Sequence, residues 1–436
     1  MLSSYWQTMR NFNHDVRIYL FLSFLIGISY LGVVTVLLNL YLLRLGYGTE
    51  FIGIVNASTA LAFASFSLPA GIVGRRIGSR RVMVLGVFLL TVSTSLLPMA
   101  ETLPSRFQEV GILIARAMTG AGFAFFIVNT YPALTAATKH EERDLAFSLQ
   151  VALSPVAGFV GSLMGGVMPG IFASLLSVSL DDPSPYRYPL FVSGAMLIPG
   201  IFALMTTTDI SLGNEVGSKD KDAGNTANKT KQRTGKDQPT ENVSSVYMLI
   251  AILSVVAYLR MSGEGAARSF FNVYLDTEMG VATERIGLLA AIGQLMAGPA
   301  ALIAPYMVLR LGRVTTVVIG TLGTATSLLL MAMVPHWIAV GIGFMGVIAA
   351  LSIARSTVNV IHMEIVAPKW RSTMSGVTSM AMGMGFSSMA LGGGYLIPIA
   401  GYKGLFLVGM CLAIGSASLF WFYFRVPRGE YATEQM

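Results

Sequence analysis

The 436 residues are 54% hydrophobic and 12% charged, about half the ~25% charge of an ordinary soluble domain. This excludes a water-soluble globule, and apolar runs of ~20 residues rather than ~10-residue alternating segments exclude a transmembrane β-barrel. The net charge of +7 does not point to nucleic acid, because Lys and Arg punctuate the apolar runs instead of clustering on a polar face.

The chain begins with Arg10, His14, Asp15 and Arg17, then runs apolar from Ile18 to Leu43. That run is too long for a signal-peptide core and reads as a first retained span. Further spans are predicted at 50–73, 81–100, 108–137, 145–175, 187–207, 245–275, 283–309, 314–334, 337–366, 372–399 and 402–425. Twelve spans put both termini on one side. Twenty Lys and Arg then fall on the terminal side, against Arg44, Arg106, Arg187, Arg285 and Lys403 on the other, the bias expected when the termini are cytoplasmic.

Between Asp209 and Asn242 the composition changes to Gly, Asn, Lys, Asp and Thr with almost no large apolar side chain, which reads as a disordered tether. The expected organisation is a six-helix bundle over residues 1–208, a cytoplasmic linker over 209–244 and a second six-helix bundle over 245–436. An internal repeat supports it. Asn39, Tyr41 and Leu42 match Asn272, Tyr274 and Leu275; after one inserted residue, Gly46, Thr49, Glu50, Ile52 and Gly53 match Gly280, Thr283, Glu284, Ile286 and Gly287. Farther on, Arg76 and Gly78 match Arg310 and Gly312 at the same offset. Repeated halves suit a carrier whose two bundles rock around a site between them.

Gly71, Arg76, Gly78, Arg80 and Arg81, between spans 2 and 3, give a glycine, a basic residue, a second glycine and a basic pair. This segment resembles the signature loop of the major facilitator superfamily, with Arg75 where the family carries an acidic residue. In the family that carboxylate helps clamp the cytoplasmic side shut, so the substitution puts that clamp in question. Arg116 to Gly120 is similar to the family's Arg-x-x-x-Gly element. Ser154 to Gly158 looks like the Gly-Pro-x-x-Gly element of its antiporter branches, with Ser154 for the first glycine. The resemblance implies an all-α membrane fold of twelve transmembrane helices in two six-helix pseudo-repeat bundles. It also implies that spans 1, 4, 7 and 10 line a central cavity, and that spans 5 and 11, rich in glycine, meet the opposite half.

Five charged residues fall deep in predicted spans: Arg116, Arg260, Glu264, Arg268 and Arg355. Each costs at least ~2.5–3.5 kcal/mol to insert, so each needs a partner or a task. Arg260, Glu264 and Arg268 are spaced by four and share one helix face, where Glu264 can pair with either arginine. Two readings remain open: a buried ion chain that holds a conformation, or arginines that bind an anionic group through their planar forks. In the second reading Arg116, Arg260, Arg268 and Arg355 are substrate ligands and Glu264 is the proton carrier. Asn39, Tyr41, Asn272 and Tyr274, at repeat-related places near the outer ends of spans 1 and 7, are candidates for an outer gate, for orienting the substrate or for helix packing. Asn129, Tyr131, Gln294, Asn359, His362 and Glu364 are secondary polar candidates.

The reading is a secondary transporter, either a symporter or an antiporter, that moves a small, anionic organic solute by alternating access. It works as a monomer in the bilayer of the cell membrane, with the proton favoured as coupling ion. The alternatives are a multidrug-type proton antiporter for apolar or cationic compounds, and a receptor or lipid-moving protein on the same fold. Four scattered His and one Cys give no metal cluster or nucleophilic triad, so neither a metal nor another cofactor, nor enzymatic activity, is expected.

Overall fold

The computed structural model describes residues 12–208, 243–366 and 370–425; the expected tether from 209 to 242 lies outside the described residues. Among the described residues every regular element is helical. In chain order these are α1 (His14–Arg44), α2 (Thr49–Ile77), α3 (Ser79–Met99), α4 (Ser105–Ala137), α5 (His140–Leu176), α6 (Ser184–Met205), α7 (Val243–Thr277), α8 (Thr283–Leu311), α9 (Arg313–Met333) and α10 (Trp337–Glu364). A last helical stretch, Arg371–Phe424, is interrupted at Gly401, where φ is +67°. It therefore counts as two spans, α11 (371–400) and α12 (402–424). Among the described residues eleven helical stretches are long and apolar enough to cross a membrane, and the division at Gly401 brings them to twelve.

Local sequence explains the turns. Gly78 and Gly312 have φ of +97° and +80°, a region open to glycine and strained for other residues. They close the α2–α3 and α8–α9 corners, so the repeat preserves the residue on which each corner depends. In α1 the stretch Gly27–Val34 is π-helical, and the Thr35 hydroxyl donates to the Tyr30 carbonyl five residues back, at 2.9 Å. Such wide turns are uncommon and gather at functional sites.

The buried apolar residues show how the halves meet. One cluster joins both halves at the end away from the termini, running from Val33–Leu42 of α1 through Ala266–Leu275 of α7 to Val340–Ile348 of α10. At the terminal end there are two separate clusters. One is confined to α1–α6 and the segments flanking them, from Phe12 to Leu204, and the other to the second half, from Ile250 to Phe420. The halves are thus fused at the distal face and independent at the terminal face.

Small residues make the distal fusion possible. A Cβ added at Gly166 of α5 would stand 2.9 Å from the Cα of Gly287 of α8, and one at Gly394 of α11 would stand 2.6 Å from the Thr49 carbonyl oxygen of α2. Close backbone approach of this kind replaces hydrophobic burial as the source of helix association in lipid.

Candidate functional site

A cavity of about 290 Å³ lies between the halves, just below the distal fusion. Arg116 of α4 and Arg268 of α7 both line it, from opposite halves. Tyr30, inside the π-helical part of α1, faces the same space. Arg116 is 6% exposed; it pairs with the Tyr30 hydroxyl, and its Nε has no hydrogen-bond partner among the described residues.

Behind Arg268 the charged ladder of α7 turns into the second half. Glu264 is 1% exposed. It forms an ion pair with Arg268 one turn on, and its other oxygen lies 3.6 Å from the guanidinium of Arg355 on α10. Arg260, one turn back, is 3% exposed, and its Nε and one terminal nitrogen have no hydrogen-bond partner among the described residues. It interacts electrostatically with Arg355 and Glu264, and with His362 near the end of α10. Four arginines and one carboxylate therefore share the cavity and the wall behind it, leaving an excess of positive charge in a medium where each charge is costly.

The repeat-related asparagines close the distal roof of the cavity. The Asn39 amide donates to the Asn272 side-chain oxygen at 3.1 Å and to the Ser269 carbonyl at 2.8 Å, and the Asn272 amide donates to the Val36 carbonyl at 2.9 Å. Each asparagine thus reaches the backbone three residues before its counterpart, a two-fold clasp between α1 and α7. Asn56 of α2 adds a bond to the Asn39 oxygen at 3.1 Å. Nearer the distal surface, Arg44 holds Asp276 with two 2.7 Å bonds between the halves, and Tyr186 pairs with Thr283 at 3.0 Å.

Tyr41 and Tyr274 do not join this clasp. The Tyr41 hydroxyl donates to Glu101 at 2.5 Å within the first half, and Tyr274 stacks on Tyr402 of α12 with ring centroids 4.8 Å apart. The signature-loop residues lie at the terminal face, away from the cavity. Arg80 donates to the Thr207 carbonyl at 2.7 Å, tying the start of α3 to the segment after α6, and Gly78 forms the corner. Gly71 faces Val128 of α4, and Arg76 is exposed. Among the secondary candidates, Asn129 ties α4 to the Ala70 carbonyl of α2 and Gln294 reaches the Leu31 carbonyl across the halves. Outside the spans, burial pushes the Tyr47 phenol above its ordinary pKa, and Glu109 adds to the effect.

The Arg44–Asp276 pair was not singled out from the sequence. Arg44 counts only among the cations of the outer loops, and the available signal was the place of both residues about one helical turn beyond the matched asparagines. The π-helical stretch of α1 was likewise missed, since two glycines five apart, Gly27 and Gly32, were its only sequence trace. Those glycines meet Ala157 and Gly161 of α5.

The family model for the Major Facilitator Superfamily matches residues 19–261 and 250–435. The chain belongs to the major facilitator superfamily. It is a multi-pass membrane transporter of that family. It is 23% identical over 402 residues to the Arabidopsis thaliana protein "Probable anion transporter 3, chloroplastic", an alignment covering 87% of this chain and 74% of that protein. Its fold is similar to that of a nucleoside transporter, with a TM-score of 0.73 at 14% identity over 94% of this chain and 100% of that one. A D-xylose–proton symporter is similar at TM-score 0.70 and 13% identity, over 94% of this chain and 96% of that one. A bacterial homolog of the human lysosomal transporter Spinster, captured inward-facing, is similar at TM-score 0.68 and 14% identity, over 94% and 96%.

Proposed function

We propose that this transporter carries a small organic anion across the cell membrane by alternating access, with proton coupling through Glu264. In this reading residues 1–208 and 245–436 are the two rocking bundles and the termini are cytoplasmic. The observation that carries it is the pair of arginines, Arg116 and Arg268, lining one interhelical cavity from opposite halves. A carboxylate bound to both would draw the halves together, and closure of the terminal side is the motion the cavity still requires. The relative described as an anion transporter supports the same substrate class. Two guanidinium groups in the wall weigh against a cationic drug.

Glu264 suits coupling because it already partners Arg268. A substrate anion that engages Arg268 competes with Glu264 for the same guanidinium, so that anion binding and proton binding are linked through this residue. This links one proton to one anion moving in the same direction, a symport.

The test is uptake of labelled organic anions into proteoliposomes under an imposed pH gradient, with thermal stability of the purified protein used to choose the anions, since a ligand specific to the folded state raises stability with occupancy. Accumulation that follows the gradient and is lost in Arg268→Gln is expected. Selective stabilisation by apolar cations instead would overturn the anion reading.

A further inference from the structure

The cavity has a second kind of wall besides its two arginines, and that wall narrows the solute. Tyr30, Phe63 and Phe123, from α1, α2 and α4, form one continuous aromatic surface. The Tyr30 and Phe123 ring centroids are 5.0 Å apart, and those of Phe63 and Phe123 are 5.7 Å apart. All three line the cavity, and Phe386 of α11 lines it from the other half. Arg116 sits at the edge of this surface, where it interacts with the Tyr30 hydroxyl.

The polar groups around the same space are mostly committed elsewhere. The Thr35 hydroxyl donates to the Tyr30 carbonyl, and the Thr59 hydroxyl donates to the Val55 carbonyl. Asn39 and Asn56 are engaged in the roof. Among the described residues, the buried lining atoms without a hydrogen-bond partner include the Arg116 Nε and the Ser269 hydroxyl, which is 2% exposed beside Arg268, whose own Nε is ion-paired with Glu264. A polyhydroxylated solute such as a sugar needs several donors and acceptors, and leaving its hydroxyls unpaired on burial is costly. The cavity offers one concentrated anion site and a broad apolar face.

The volume, about 290 Å³, accommodates a single ring with a short acidic arm.

Resting on the anion reading above and going further than it, we infer that the solute is a single-ring aromatic carboxylate. Its carboxylate is held between Arg116 and Arg268 with help from the Ser269 hydroxyl, and its ring lies on the Tyr30–Phe123–Phe63 surface opposite Phe386. Aromatic faces meet such a ring in offset or tilted contact, whereas a saturated ring of similar size gains only burial.

The experiment compares three probes by calorimetric binding to the purified full-length protein: phenylacetate, cyclohexylacetate with the same charge on a saturated ring, and phenylacetamide with the same ring and no charge. Phenylacetate is expected to bind about three- to tenfold tighter than cyclohexylacetate, the range of an aromatic pair contact. Phenylacetamide is expected not to bind measurably. In Phe123→Leu the preference for phenylacetate should shrink toward unity, and Phe63→Leu should act in the same direction if the first variant melts too low to handle. Equal binding of the two acids would overturn the aromatic inference and leave the anion reading standing. Binding of phenylacetamide as tight as that of phenylacetate would overturn the anion reading, and no binding of any probe would overturn both.

Discussion

Asn39 and Asn272 hold corresponding places in the two halves and make corresponding bonds, but the same repeat register puts Gly27, Leu31 and Thr35 of α1 opposite Arg260, Glu264 and Arg268 of α7. One helix keeps its polar groups for the roof and relaxes into a wide turn that presents Tyr30. The other remains a regular helix and carries three charges along one face. The lesson is that the repeat conserves the parts that let two bundles meet, the roof asparagines and the corner glycines, while the chemistry between them has diverged. The first half supplies an aromatic wall with a single cation, and the second supplies the titratable group with its partners.

Breaking the charged side of that contrast should have the largest effect. Glu264→Gln is expected to abolish accumulation driven by an imposed proton gradient in proteoliposomes and to leave solute exchange intact. Uphill uptake equal to that of the parent protein would remove Glu264 from coupling. Next comes the single cation of the first half. Losing charge-assisted bonds worth ~1.5–3 kcal/mol predicts a roughly 10- to 100-fold weaker solute affinity in Arg116→Gln. Arg116→Lys should restore little of it, because an ammonium cannot offer a planar fork. An unchanged dissociation constant in both variants would return Arg116 to a structural role.

The shared skeleton gives the smaller effects. Asn272→Ala leaves the Asn39 amide short of a partner in a buried site, at a cost of ~1–3 kcal/mol to the distal closure. Asn39→Ala should cost about the same, and the double variant should fall well short of the sum, because the two residues share one network. Additive losses in thermal unfolding would break the idea of a reciprocal clasp. The smallest functional change belongs to Tyr41→Phe, with ~1.5–3 kcal/mol of stability lost with the charge-assisted Glu101 hydrogen bond and solute affinity unaltered. A shifted affinity there would bring Tyr41 back into the binding site.

The sequence by itself determined what depends on neighbours along the chain. Hydropathy marks each span, because a backbone in lipid must satisfy its own hydrogen bonds and so forms continuous helices. The spans read at 372–399 and 402–425 leave a break at residues 400–401, and the turn lies at Gly401. The five charges deep in the spans were legible because the other charged residues of these segments lie near span ends. Only the tertiary structure decided which polar groups meet. Asn39 and Tyr41 are two residues apart and equally prominent in the repeat, yet one faces the other half and the other turns to Glu101. The reason is that a helix's rotation about its axis, and the wide turn that resets it in α1, follow from glycine contacts with α5. In lipid those contacts, more than burial from water, fix which face looks inward.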